Sequence, residues 1–290
     1  QRLNMPEVYV EKDYWVTYAL HAIFHAEIGK ETVFKGGTAL SKCFSIIERF
    51  SEDIDLVVLR SADDSGNKLT NKIKAISTVV GNVLPEVQVT EVTQKMGMNR
   101  KTAHTYAKEF KGDYGQVRDV IIVEATWLGC HEPYVTKEVS SLVYGMMRDT
   151  EQLAMAEEYG LQPFELKAMD PKRTICEKIM SLIRFSYSEN PIDVLGKKIR
   201  HVYDLHLLLK QPDLNLFFNS DEFGKMLVKV AKDDVESYKN DNKWLEHHPN
   251  DAKLFAELKP TWDKLKPTYN GDFKRLVYGE LPKDDDAFST

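Results

Sequence analysis

Lys35-Gly36-Gly37-Thr38-Ala39-Leu40-Ser41-Lys42, followed after a gap of six residues by Arg49-Phe50-Ser51-Glu52-Asp53-Ile54-Asp55, is the stretch that decides how this chain reads. Thr32-Val33-Phe34 just before it is short and apolar, the pattern of a strand. Thr38 is a good N-cap residue, and Leu40, Phe44 and Ile47 give an apolar stripe, so a helix is expected from about Thr38 to Phe50. Asp53 to Leu59 is apolar and β-branched apart from two carboxylates, which predicts a second strand. The whole is strand, glycine pair, helix, strand. Glycine lets backbone N–H groups approach a ligand, and a helix N-terminus adds positive charge, so the corner at Gly36-Gly37 suits phosphate.

Asp53 and Asp55 are two apart on the expected strand, so both point to one face. Adjacent carboxylates repel unless a cation neutralises them. Magnesium is the natural cation, since it takes one or two carboxylates together with substrate phosphates. A phosphate corner beside a metal platform is what nucleotidyl transfer by in-line displacement requires. A lone glycine pair is usually a turn, and a lone Asp-x-Asp is often a solvated strand end. The two together in one compact unit are far more specific.

Outward from this unit, residues 8–29 have helical spacing (Val16, Leu20, Ile23, Phe24), with Gly29 as the stop. A helix is expected at about 68–81 and strands at 86–93, 103–110 and 117–127. The last two strands are expected to pair antiparallel across a turn at Lys111–Gly115. Beyond Pro163 the apolar spacing is helical with no convincing strand. The expected fold is therefore α+β. An N-terminal α/β domain with a mixed sheet (1–160) precedes a mainly helical domain (161–290) that completes the active-site cleft. From Pro282 the acidic run Lys283-Asp284-Asp285-Asp286 is expected to fray.

The 290 residues are 42% hydrophobic, enough for a substantial core, and the net charge of −6 excludes a polycation that grips nucleic acid with its whole surface. A local basic cleft is still open. Residues 165–201 carry eight Lys/Arg against five Asp/Glu, a balance of +3 that leaves −9 on the rest. Cys43, Cys130 and Cys176 are widely spaced with no CxxC pair, which points to a reducing, cytoplasmic compartment rather than a disulfide framework. No apolar run is long enough to span a membrane. The opening Gln1-Arg2-Leu3-Asn4-Met5-Pro6 has no signal-peptide pattern and no initiator Met, which points to numbering that starts inside a longer gene product.

With its glycine pair, helix and Asp-x-Asp, the chain resembles the minimal nucleotidyltransferases of the polymerase-beta superfamily. More narrowly, it resembles the AbiEii/AbiGii toxin family of type IV toxin–antitoxin and abortive-infection systems. Four stretches carry that resemblance: Glu11-Lys12-Asp13-Tyr14-Trp15, Phe34–Leu40, Arg49–Asp55, and Arg200-His201-Val202-Tyr203-Asp204-Leu205. They span residues 11–209, and the last 80 residues hold no motif. The resemblance implies a magnesium-dependent enzyme, with a two-metal site, that moves a nucleoside monophosphate from an NTP to an acceptor hydroxyl. RNA, in some members tRNA, is the implied acceptor, and a cognate antitoxin is the implied partner.

The candidate nucleotide-binding residues are Lys35, Gly36, Gly37, Thr38, Lys42 and Ser51. The candidate metal ligands are Asp53, Asp55 and Glu124. The resemblance implies a third carboxylate on a neighbouring strand, and Glu124 is the one charge in the apolar run Val120–Ala125, where burial is expensive unless it is paired; the plainer reading is a Glu124 that faces solvent on a one-sided strand. Asp119, at the mouth of that strand, is its competitor. The candidate catalytic residues are Asp53, Asp55, Lys178 and Asp204. The resemblance implies a triphosphate-contacting lysine, aligned to Lys178 beside the stripe Ile175, Ile179, Leu182 and Ile183, with Lys172 or Lys167 as alternative alignments. It also implies a catalytic or substrate-orienting Asp204, opposite the expected buried face Ile199, Val202, Leu205 and Leu209. That carboxylate would take a proton or hold a lysine in place; the plainer reading is an Arg200–Asp204 pair along the helix. Two other functions stay open: a small-molecule, aminoglycoside-type nucleotidyltransferase, for which the last 80 residues offer 16 acidic against 12 basic side chains, and a non-catalytic nucleotide-binding protein.

Overall fold

The structure, a computed structural model, describes residues 5–112, 117–129, 131–237 and 243–288. Cys130 and most of the expected hairpin turn lie outside them. The chain divides into two compact units. The first holds residues up to Ser45 and Phe50–Met169; the second holds Ile46–Arg49 and everything from Asp170.

The first unit runs α1 (Glu7–His25), β1 (Thr32–Lys35), α2 (Gly36–Lys42), β2 (Ile54–Val58), α3 (Gly66–Val83), β3 (Glu86–Val87), β4 (Gln94–Lys95), β5 (Asn99–His104), β6 (Ile121–Thr126), β7 (Tyr134–Val139), α4 (Leu142–Asp149), α5 (Leu153–Glu158) and β8 (Phe164–Met169). The strands form one mixed sheet in the order β3-β5-β6-β2-β1-β8-β7, with β4 also on β5. β2 lies parallel to β6 and β1 parallel to β8; the other pairings are antiparallel. One sheet face carries Phe34, Ile54, Leu56, Val58, Val123 and Ala168. These pack on Val16, Leu20 and Ile23 of α1 and Ile73, Ile76 and Val80 of α3. Alternation along each strand sends the intervening residues to the other face.

Three expectations need correction here. The helix after the glycine pair ends at Lys42 instead of reaching Phe50, and it starts at Gly36 with Lys35, not Thr38, as its N-cap. Ser45 takes a left-handed φ of 52°, and the following residues pair elsewhere: Arg49 bridges Val277 and the Glu48 carbonyl accepts from Tyr278 N. The β5 strand lies four residues earlier than expected at its start, and only Glu86–Val87 of the 86–93 segment is a strand. Finally, the stretch after Pro163 does hold a strand. In Phe164-Glu165-Leu166-Lys167-Ala168, the first, third and fifth residues are buried, a period of two that pairs β8 with both β1 and β7.

The second unit is helical: α6 (Pro171–Ser186), α7 (Pro191–Lys197), α8 (Arg200–Leu209), α9 (Pro212–Phe218), α10 (Asp221–Ser237), α11 (Lys253–Ala256), α12 (Leu258–Asn270) and α13 (Asp284–Phe288). Asp170 caps α6 by accepting from Lys172 N, and Pro171 sits in its first turn, where its missing N–H has no helical partner to lose. α6 packs on α7, α8, α9, α10 and α11. Phe217, Trp244 and Trp262 are core residues, and His247 stacks on Tyr187 with ring centroids 5.0 Å apart. The acidic tail does not fray: α13 is anchored by Lys266–Asp284 at 3.0 Å and by the buried Ala287. Among the described residues no helix is long and apolar enough to cross a membrane.

Candidate active site

Strand register in the first unit assembles a row of four charges. Lys35 stands opposite Asp55 across β1 and β2. Asp55 stands beside Glu124 across β2 and β6, and Glu124 opposite Lys101 across β6 and β5. Registered neighbours share a face, so all four lie on the sheet face away from α1 and α3. Val33, Val57 and Met169 make a small apolar cluster on the same face.

The glycine pair is tied to this row by sterics. Gly36 has a φ of 80°, and a Cβ there would run into Asp55 Oδ2. Any other residue at 36 meets both the left-handed backbone penalty and the displaced carboxylate. Gly36→Ala is therefore expected to cost about 1–2 kcal/mol of stability from the backbone alone, and to reduce activity further by moving Asp55. A thermal melt beside a turnover assay checks both. Thr38 is buried, and its hydroxyl lies 3.0 Å from that of Ser51, joining the corner to the segment that enters β2. α2 has only seven residues, so its dipole adds little.

Asp53 precedes β2. Its Oδ1 is buried without a hydrogen-bond partner among the described residues, and Arg118 Nη1 approaches it only to 3.9 Å. Beneath it Glu52 pairs with Lys12, whose ammonium also donates to the carbonyls of Arg118 and Val120. Burial pushes the Glu52 carboxyl up, against the pull of Lys12, and the charge of Asp53 raises it further. Burial likewise lowers the Lys12 ammonium, opposed by Glu52 and Asp53. The Glu11-Lys12-Asp13 motif is thus a set of buried rivets. Glu11 accepts from Glu109 N, while Asp13 accepts from Leu142 N and pairs with Lys42 at 2.6 Å.

That last pair engages Lys42 away from the glycine corner. Its ammonium is buried against Asp13 and also reaches the Ser140 carbonyl. Asp119 is exposed and paired with Lys108 at 2.7 Å, so it does not compete with Glu124. The carboxylate of Glu124 is held by Lys101 Nζ at 3.1 Å and Asn99 Nδ2 at 3.2 Å. Lys101 and Asn99 were not among the sequence candidates, because the expected strand began at 103. Their signal is the charged residue at 101, two positions before the buried Ala103 on the same face.

The second unit holds a separate buried cluster. Asp204 accepts from Arg49 Nε at 2.7 Å and Nη2 at 2.8 Å, and pairs with Lys178 Nζ at 2.7 Å. Lys178 Nζ lies 3.2 Å from His201 Nδ1. This corrects the expected orientation of α8. Its buried residues are Tyr203, Asp204, His206 and Leu208, not the Val202, Leu205 and Leu209 of the apolar stripe, and Asp204 is wholly enclosed. Arg200 is not its partner. Burial would raise the Asp204 carboxyl, but Arg49 and Lys178 outweigh burial and hold it well below the usual carboxylate range. Lys178 is lowered by burial, and burial, with the charge of Lys178 beside it, pushes His201 well below its ordinary value. Of the alternative lysines, Lys172 lies over the Phe217 ring and Lys167 donates to the Lys30 carbonyl.

For a hard divalent cation the donors at β2 fit. They are two carboxylate oxygen donors, one with an open buried lone pair at Asp53 and one seated against the Gly36 backbone at Asp55. Among the described residues no three carboxylate, histidine or cysteine side chains gather as a complete ligand set.

The comparisons with known proteins bear on the family. No curated protein matches the chain. A proposed nucleotidyltransferase from H. pylori is similar in structure, with a TM-score of 0.39 and 13% identity over 90% of this chain and 98% of that one. MenT4, a nucleotidyltransferase toxin from Mycobacterium tuberculosis H37Rv, gives a TM-score of 0.36 and 14% identity over 90% of this chain and 92% of its own. At such TM-scores neither structure bears on the site. The family model for the nucleotidyl transferase AbiEii toxin of type IV toxin–antitoxin systems matches residues 18–290. On that match the chain belongs to the AbiEii family of nucleotidyltransferase toxins.

Proposed function

We propose that this chain transfers a nucleoside monophosphate from a magnesium-bound NTP to the hydroxyl of an RNA acceptor, at the charge row of the first unit. The observation that carries the reading is the seating of Asp55 on the Gly36 backbone next to the open Oδ1 of Asp53. Two carboxylates that repel each other are held beside backbone amides that suit phosphate. Asp53 and Asp55 would hold the cation, with Glu124 as the neighbouring third carboxylate. Magnesium, when bound, supplies neutralisation of the phosphate charge.

The chain's own residues do the rest. Gly36 and Gly37 present backbone to the phosphates, and Lys35 adds a cation at the end of β1. The acceptor oxygen bonds to the α-phosphorus as the bond from that phosphorus to the β-phosphate's bridging oxygen breaks. Pyrophosphate leaves, and the hydroxyl proton passes to solvent. The resemblance implies a phosphate contact for Lys178, but its ammonium is buried against Asp204 within the second unit, so it is given no part in this step. The enclosure of Asp204 supports its role as the holder of Lys178, not as a proton acceptor, since a carboxylate held so low is a poor base.

RNA as acceptor follows from what the resemblance implies. The basic stretch 165–201 lends less support than its charge count, because Arg173 and Lys178 are buried in ion pairs. The test is incubation with each α-labelled NTP in magnesium, with total tRNA in one arm and an aminoglycoside panel in the other. Label in tRNA alone is expected. Label in the aminoglycosides alone would move the reading to a small-molecule enzyme. Magnesium-dependent NTP binding with no transfer in either arm would make the chain a binding protein.

A further inference from the structure

Glu124, the second carboxylate of the row, has a side-chain donor at each of its oxygens. Lys101 Nζ lies 3.1 Å from Glu124 Oε2, and Asn99 Nδ2 lies 3.2 Å from Oε1. Asn99 gives Glu124 its amide hydrogens while its own Oδ1 is buried without a partner among the described residues. That orientation leaves an acceptor unsatisfied in order to hold Glu124. Glu124 also stands in register with Asp55, on the same face, one strand away. Yet among the described residues no third ligand gathers with the Asp pair.

Charge explains why the free row takes this form. Lys35, Asp55, Glu124 and Lys101 form a plus, minus, minus, plus series, so each carboxylate has a registered cation beside it. The flanking cations offset the repulsion of the two central carboxylates. The pair of Lys101 with Glu124 is about a third exposed on both sides, 29% and 33%. An ion pair that wet is weak and opens readily. A lysine on a flexible four-carbon stem re-aims its point charge without moving the strand.

We propose that Lys101 and Glu124 are exchange partners, a clamp that opens when nucleotide arrives with its divalent cation. In the free chain Lys101 neutralises Glu124. On binding, Glu124 turns to the cation and the released Lys101 ammonium turns to the nucleotide phosphates. Asn99 sets the resting position of Glu124. The inference rests on the proposed metal platform at Asp53 and Asp55. No covalent step is involved, only an exchange of ionic partners.

The exchange makes predictions of opposite sign, which a merely structural Lys101 does not. The probes are Mn2+ alone, followed by its free-ion paramagnetic signal, and non-hydrolysable α,β-methylene NTPs in excess magnesium, followed by calorimetry. Lys101→Met removes the competitor for Glu124, so Mn2+ alone is expected to bind about fivefold more tightly. The same variant loses a phosphate contact, so the nucleotide analogue is expected to bind about fivefold more weakly. Asn99→Ala loosens Glu124 without removing a cation. It is expected to tighten Mn2+ and leave the nucleotide affinity unchanged, and Lys101→Arg is expected to restore nucleotide binding. If the wild-type chain binds Mn2+ but Lys101→Met shifts neither affinity, or both in one direction, the exchange is wrong and the metal platform stands. If the wild-type chain binds no Mn2+, or Asp55→Asn binds it equally well, the platform itself fails and the exchange with it.

Discussion

Replacing Asp53 and Asp55 together with alanine is expected to abolish NTP turnover and growth toxicity while the fold persists. The size of the loss follows from the task assigned to these carboxylates. Neutralising phosphate charge by a bound cation contributes several kcal/mol to an in-line displacement, so its removal is expected to slow turnover by about a thousandfold or more. The fold is expected to survive because both carboxylates lie on one sheet face outside the apolar core, and the charge of Asp53 holds little in place. Asp53 Oδ1 makes no hydrogen bond among the described residues, and the side chain is one-fifth exposed. Its charge even disfavours the ionised form of buried Glu52. Asp53→Asn alone is therefore expected to leave Tm unchanged or raise it slightly. A thermal melt and a toxicity assay on the same variants separate the two effects. A double variant that still labels RNA from radioactive NTP would mean that the cation platform lies elsewhere.

Asp204→Ala is expected to act in the opposite way, through stability first. Asp204 is fully enclosed, and its two oxygens are shared between the guanidinium of Arg49 and the ammonium of Lys178. Deleting it leaves two buried cations facing each other. Removing one member of a buried ion pair typically costs about 3–5 kcal/mol, which for a protein of this size corresponds to a fall in Tm on the order of 10 °C. Asp204→Asn keeps the shape and some of the hydrogen bonds, so it is expected to fall between that variant and the wild type.

The pH dependence carries the sign. The folded carboxyl is held below its ordinary value of 3.8, so the stability it contributes is fully present above that pH and is lost as the pH falls below it. The stability gap between wild type and Asp204→Asn is therefore expected to close on acidification below about pH 4, which urea titrations at a series of pH values check. A purely catalytic Asp204 predicts no change in Tm for either variant.

What the sequence made legible was chemistry compressed into a short span. Gly36-Gly37 directly follows β1 and Asp53-Ile54-Asp55 leads into β2, the next strand, so spacing alone placed both aspartates on one face beside a glycine corner. Glu124 was legible as one charge in an apolar run, and register sets it next to Asp55. Contacts made far along the chain were not legible. Lys42 reads as a helix-end cation for phosphate, but its partner Asp13 lies 29 positions away. Asp204 reads as the exposed side of an amphipathic helix, because apolar periodicity assumes that charges face water. Arg49, 155 residues earlier, reverses that assumption.

The strand at Phe164–Met169 was misread for a different reason. Its period of two runs for only six residues and is followed at once by helical spacing. Its identity is set by the strands on either side, β1 and β7, more than by its own pattern. The same holds for the segment after Lys42, where pairing of Glu48 and Arg49 with the stretch at Val277 and Tyr278 overrides a helical stripe.

The central claim is that the Gly36 and Asp55 corner directs attack at the α-phosphorus of an NTP. It is tested most directly by following two labels in one reaction, α-32P and γ-32P NTP with tRNA in magnesium, for the wild type and for Asp55→Asn. The account predicts that α-label enters RNA, that γ-label appears only in pyrophosphate, and that Asp55→Asn transfers neither. Entry of γ-label into RNA, or α-label transfer undiminished in Asp55→Asn, would contradict it.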